Sequence, residues 1–153
     1  MATEMKKLAA QMQVAGLIIQ ALTSGIWDMV GEGSFALSSS IGDGLLAGAE
    51  RGAGLEIAGE KPEDVLTELG RLFVDELGFC QAVNVESDGD AITMTVEKCM
   101  IASSCAQFEQ AGVGFFYCPY LCVGLAALKR LGMRARSHVD FKGTGSVITF
   151  DML

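Results

Sequence analysis

The chain predicts an α+β domain: an antiparallel sheet of about four strands, with N-terminal helices and a helix between the two hairpins. Three observations carry this. Apolar residues recur at helical spacing through the first part of the chain, two strand-like pairs each meet at a glycine-bearing turn, and a helix start at Cys118-Pro119-Tyr120 separates the pairs. The order helices, hairpin, helix, hairpin suits helices packed on one face of a sheet. With 153 residues and no linker, repeat or low-complexity tract, residues 1–153 read as a single domain.

From Met5 to about Val30, Leu8, Met12, Ala15, Ile19, Leu22, Ile26 and Met29 recur in steps of three and four, the pattern of one long amphipathic helix. Gly31 to Ser34 punctuate the chain, and Ser34 is the expected N-cap of a second helix reaching about Ala49. Its small residues, among them Gly42, Gly44 and Gly48, leave room for close approach by another element. Arg51 to Gly59 reads as a connection. Lys61-Pro62-Glu63-Asp64 opens a third helix, with proline in the first turn and carboxylates at the positive dipole end; it runs to about Leu77 and closes at Gly78.

Ala82 to Glu86 and Ala91 to Val96 flank the Ser87-Asp88-Gly89-Asp90 turn, and Ile92, Met94 and Val96 alternate with polar residues as in a strand with one buried face. A short helix over Ala102 to Gln110 follows, then a helix from Pro119 to Leu131 ended by Gly132. Met133 to Phe141 and Ser146 to Met152 form the last hairpin around Lys142 to Gly145.

Half of the residues are hydrophobic and mean hydropathy is +0.38. No uninterrupted apolar run approaches the roughly 20 residues of a bilayer span, so no membrane span is expected. Gln11, Gln13 and Gln20 interrupt the first apolar segment, which argues against a signal peptide and for cytoplasmic residence. A net charge of −8 repels phosphate backbones, which excludes nucleic acid as an expected partner. Lys129, Arg130, Arg134 and Arg136 gather at a helix end, where the dipole favours cations. The hydrophobic excess and the long first helix point to a homodimer.

Four of the five cysteines, Cys99, Cys105, Cys118 and Cys122, crowd into one stretch. Cysteines four apart on a helix share a face, so Cys118 and Cys122 can address one atom. Four converging thiolates make a closed tetrahedral site for zinc, or alternatively hold an iron–sulfur cluster; three, with Glu97 or water as the fourth ligand, leave an open position. Free cysteines are also common core residues, and Cys80 beside Phe79 reads that way. His138, the single histidine, is expected to be a surface or structural group. Phe115, Phe116, Tyr117 and Tyr120 are candidate walls for an apolar pocket, or plain core.

The segment Cys118-Pro119-Tyr120-Leu121-Cys122-Val123-Gly124-Leu125, with the helix, Gly132 and the strands through Val139-Asp140 and Val147 to Phe150, resembles the vinyl-reductase-like hydrocarbon-binding domain family. That resemblance implies helices and a sheet enclosing an apolar ligand, and a zinc held by cysteines with a carboxylate. The terminal strands here lack the cysteine pair found in family members; Cys99 and Cys105 are possible replacements. The Cys-Pro-Tyr helix start also resembles the aminothiazoline carboxylate hydrolase-like family, which would imply an enzyme. The expected function is a binding domain for an apolar or aromatic small molecule with a cysteine metal site. The alternatives are an iron–sulfur or metal-dependent redox enzyme, or a dimeric scaffold with buried cysteines.

Overall fold

The computed structural model describes residues 1–54 and 56–153. Helix α1 spans Glu4–Val30, a 3-10 turn covers Gly31–Leu37, and α2 spans Ser38–Ala53. The chain therefore stays helical from Glu4 to Ala53. Ser34 is not an N-cap: it lies inside the 3-10 turn, fully buried, and α2 begins four residues later without a side-chain cap. The expected connection from Arg51 starts after Ala53; Leu55, which falls within it, lies outside the described residues.

Helix α3, Pro62–Arg71, opens on proline with Glu63 and Asp64 in its first turn, and a π-helical turn, Leu72–Glu76, extends it before Gly78 at φ +59°. Strands β1 (Ala82–Asp88) and β2 (Ala91–Glu97) pair antiparallel in a register that matches Ala82 with Glu97 and Asp88 with Ala91. The turn is the two residues Gly89-Asp90, shorter than expected, with Gly89 at φ +62° as tight hairpin turns require. Helices α4 (Ala102–Gln110) and α5 (Pro119–Arg130) come next, then β3 (Ala135–Phe141) and β4 (Ser146–Met152).

The sheet order is β1-β2-β4-β3, all antiparallel. The fold is the expected α+β arrangement. One face of the two central strands is buried, at Ile92, Met94 and Val96 of β2 and Ile148 and Phe150 of β4. Against it lie Leu66 and Leu69 of α3 and Tyr120, Leu121 and Leu128 of α5. Helix α2 crosses α5 at Gly42, where an added Cβ would fall 1.8 Å from the Cys122 carbonyl oxygen. Two small-residue positions, Gly42 and Ala126, let these backbones touch. Ion pairs tie the same helices at their rim, Lys129 to Asp43 at 2.9 Å and Arg130 to Glu50. The basic residues of the α5 end are thus partly neutralised by α2 carboxylates.

Helix α1 is the exception to compact packing. Thr23 is its one buried residue, and Leu8, Met12, Leu17, Ile18, Ile19 and Leu22 are all more than half exposed. Its C-terminal end is held by Ile26 and Trp27, which pack on a small cluster of Phe108, Val113 and Phe116. The helical run from Glu4 to Gly52 contains a stretch long and apolar enough, by length and composition, to cross a membrane, of which 6% is buried.

Candidate functional site

A cavity of about 820 Å³ lies between α1, α2, α3 with its π turn, and the segment after β2. Helix α1 lines it with Met12, Gly16, Ile19 and Ile26, α2 with Ile41, Leu45 and Leu46, and the α3 side with Leu69, Leu72 and Phe73. Phe79, Met100 and Ile101 form another wall, and Phe116, Tyr117, Pro119 and Val123 the floor. Among the described residues, Thr23, Glu50 and Tyr117 are the lining residues with polar side-chain groups. The apolar stripe of α1, read from sequence as a face for a partner, thus also forms this wall. A volume of this size falls within the 300–1,000 Å³ or so of small-molecule sites.

The aromatic candidates divide between two places. Phe116 and Tyr117 line the large cavity, whereas Phe115 and Tyr120 line a second, much smaller one of about 20 Å³. Phe116 stacks on Trp27 with centroids 6.2 Å apart, and Tyr117 tilts against Phe108 at 4.7 Å. Of the methionines, Met100 lines the large cavity while Met94 is fully buried in the sheet core.

The small cavity gathers three of the four expected metal ligands, Cys99, Cys105 and Cys118, with Val139, Phe141 and Ser146 of the last hairpin. Cys99 arrives from the end of β2, Cys105 from α4 and Cys118 from the residue before α5. Cys122 is not among them. Its thiol donates to the Phe116 carbonyl at 3.1 Å, an acceptor shared with the Ser38 hydroxyl at 2.7 Å. The two bonds fix the start of α2 and the first turn of α5 to one loop carbonyl.

Burial dominates the thiols' acidity. It pushes Cys118 and Cys122 up to about 12, and raises Cys105 and Cys80 as well. Burial likewise raises Tyr117 and Tyr120. The Tyr120 hydroxyl donates to Cys99 Sγ at 3.3 Å. Such surroundings favour neutral thiols over the thiolates that bind metals. As the side chains stand, no group of three or more His, Cys, Asp or Glu among the described residues is placed to hold a metal ion. Glu97 and His138 are both exposed.

Sequence reasoning missed the contributions of α2 and of the π turn to the large cavity. The signal was present in the spacing of Ile41, Leu45 and Ala49, which falls on one helical face.

Solved structures with this arrangement include two crystal structures of an Fe(II) unliganded H-NOX protein from K. algicida, one of them a mutant. Each matches with a TM-score of 0.51 over 78% of this chain, at 12–13% identity. The chain spans 63% of the length of those structures, and the likeness is one of fold. A protein named "Putative rubredoxin" from Methanothermobacter thermautotrophicus is 26% identical over 138 residues, which cover 90% of this chain and 71% of that protein. One further match, to the family described as "Putative rubredoxin C-terminal domain", covers residues 15–153, which hold the four-stranded sheet, α2 to α5 and α1 from its Ala15 onward. The chain belongs to that family.

Proposed function

We propose that this chain binds an apolar small molecule in the cavity between α1, α2 and α3, as the ligand-binding part of a redox-linked protein. The cavity itself carries the reading: about 820 Å³ lined almost wholly by aliphatic and aromatic side chains, with few polar groups to orient an occupant. A hydrocarbon-like ligand suits such a lining, because its burial removes apolar surface from water without leaving polar groups unpaired. The hydrocarbon-binding resemblance at Cys118 to Leu125 supports the same conclusion, and the rubredoxin name of the family supports the redox setting.

Nile red, an apolar dye whose fluorescence rises out of water, tests it. Saturable binding is expected, together with a rise in melting temperature. Gly16 lines the cavity and has open space where a Cβ would stand, so Gly16→Phe should obstruct part of the site and weaken binding while the fold melts normally. Absence of saturable binding to the unaltered chain would sink the reading.

A second reading, a metal centre, is supported by the family name; Cys99, Cys105 and Cys118 border one small cavity but would have to close on the ion to bind it. The four cysteines do not form a closed four-thiolate site as they stand, because Cys122 is engaged with Phe116. Metal analysis by plasma mass spectrometry on anaerobically purified protein decides it. Iron or zinc near one per chain, lost in Cys118→Ser, would support the centre; protein without either would remove it.

The exposed apolar α1 is proposed to pack on a second copy of this chain. At about 1.5 Å per residue its 27 residues extend roughly 40 Å, and the cavity lies open along it, so a partner helix would cover both. Light scattering on the eluting protein should give a dimer mass, and Leu8→Lys with Met12→Lys, which share one face of α1, a monomer. A monomeric unaltered chain, or one that requires detergent to stay dispersed, would refute the dimer.

A further inference from the structure

Cys80 stands just before β1 and Cys99 just after β2, and the backbone clamps the base of that hairpin around them. Gln81 N–H donates to the Glu97 carbonyl at 3.0 Å and Met100 N–H to the Phe79 carbonyl at 2.9 Å. Between these two bonds, Cys80 on one side faces the Lys98–Cys99 step on the other. Lys98 is the one non-glycine among the described residues at positive φ, +53°, the mark of a bulge that re-aims the following side chain. Cross-strand neighbours in antiparallel pairs have Cα atoms roughly 4.5–5.5 Å apart. A disulfide accepts Cα separations of about 4.4–6.8 Å.

The side chains converge as well. Tyr120, from the first turn of α5, brings its hydroxyl to 3.3 Å from Cys99 Sγ, and Cys80, Cys99 and Tyr120 all belong to one apolar cluster. Both cysteines therefore pack in one region at the base of the hairpin. They differ in access: Cys99 is half-buried, whereas Cys80 is buried behind it. This is the arrangement of a reachable attacking thiol with a sheltered resolving one.

We propose that Cys80 and Cys99 form a reversible dithiol–disulfide couple at the base of the first hairpin, oxidised by exchange with a low-molecular-weight disulfide. The Cys99 thiolate attacks one sulfur of the disulfide, whose S–S bond breaks, and the leaving half takes up the proton that Cys99 released. The Cys80 thiolate then attacks Cys99 Sγ, closes the internal bond and expels the second half, again as a thiol. Two electrons pass from the protein to the disulfide, and both protein thiol protons end on the two small thiols. This couple is independent of any ligand in the large cavity and uses none of the buried thiols at Cys105, Cys118 and Cys122.

Incubating the reduced native chain with bis(2-hydroxyethyl) disulfide, then blocking free thiols with N-ethylmaleimide in denaturant and mapping peptides by mass spectrometry, tests the proposal. A cross-linked peptide joining Cys80 to Cys99 is expected, with the other three of the five cysteines carrying maleimide. Cys80→Ser should hold Cys99 as a stable mixed disulfide, and Cys99→Ser should leave Cys80 unmodified. Full maleimide labelling of both Cys80 and Cys99 in the unaltered chain, or a cross-link between any other pair, would overturn it. The mapping of the unaltered chain decides even if the variants fold poorly.

Discussion

Replacing Gly42 by alanine tests the packing of α2 on α5, two of the helices that line the large cavity. The new methyl would stand 1.8 Å from the Cys122 carbonyl oxygen and 2.4 Å from its carbon, and Cβ contacts under 3.0 Å essentially never occur. The obstacle is backbone inside helix α5, which has no rotamer to adopt, so α2 and α5 must separate until the oxygen lies at least 3.0 Å away. Overpacking of this kind costs about 1–3 kcal/mol, and a rigid obstacle belongs at the upper end. Alanine's better helix propensity returns about 1 kcal/mol, leaving a net loss of about 2 kcal/mol. For a chain of this length that is a fall in melting temperature of roughly 4–8 °C. Gly44, on the same helix, has nothing within 4 Å of its Cβ position, so Gly44→Ala should stabilise by up to about 1 kcal/mol. Urea unfolding of both variants beside the unaltered chain measures the two effects at matched slope. If Gly42→Ala is as stable as the unaltered chain, or moves in the same direction as Gly44→Ala, the close crossing of α2 and α5 is refuted.

Three further outcomes are expected. Burial holds Cys118 and Cys122 at about 12 against an ordinary 9.0, so the unfolded chain loses these protons first as pH rises. Stability is then fully present below about pH 9 and declines as pH climbs towards about 12, a slope that urea midpoints would show and that Cys122→Ala should lessen. Phe150, fully buried against Gly124, should cost about 3–5 kcal/mol on truncation to alanine, read as a shifted urea midpoint; a loss under 1 kcal/mol or so would contradict its central place. The Arg130–Glu50 pair lies at the rim of the α2–α5 contact with both side chains partly exposed, so Arg130→Ala should change stability by less than about 1 kcal/mol in thermal melts.

The fold was legible because its elements carry strong local signals. Alternation at Ile92, Met94 and Val96 named the buried face of β2, Ser146 to Met152 matches β4 end for end, and Pro62 with Glu63 and Asp64 opened α3 where expected. Signals that depend on what lies across space were read less well. Ser34 has the composition of an N-cap, yet it is buried within a 3-10 turn that carries the chain straight into α2, which starts at Ser38 without a side-chain cap. The α1 stripe was visible as a periodic pattern, but periodicity does not say whether a face meets core, partner or cavity. Here it borders the large cavity, which no spacing rule locates. The facing of Cys80 and Cys99 could have been extended from the hairpin register, but the Lys98 bulge that aims Cys99 has no mark in the sequence.

The cysteine pair at Cys118 and Cys122 shows where a spacing rule stops. Residues four apart share a face when both are helical, and Cys118 is not: at φ −55° and ψ 118° it is the residue before the helix, which starts at Pro119. Its side chain therefore follows the loop and reaches the small cavity with Cys99 and Cys105, while Cys122, inside the helix, meets the Phe116 carbonyl. The two thiols thus answer different questions when altered. Serine at position 122 can still donate to Phe116, so Cys122→Ser should leave the start of α5 in place. Serine at position 118 alters a thiol that faces the other cavity sulfurs. A metal lost from Cys118→Ser but retained by Cys122→Ser would place it in the small cavity, and equal loss from both would mean that the first turn of α5 rearranges to bring Cys122 in.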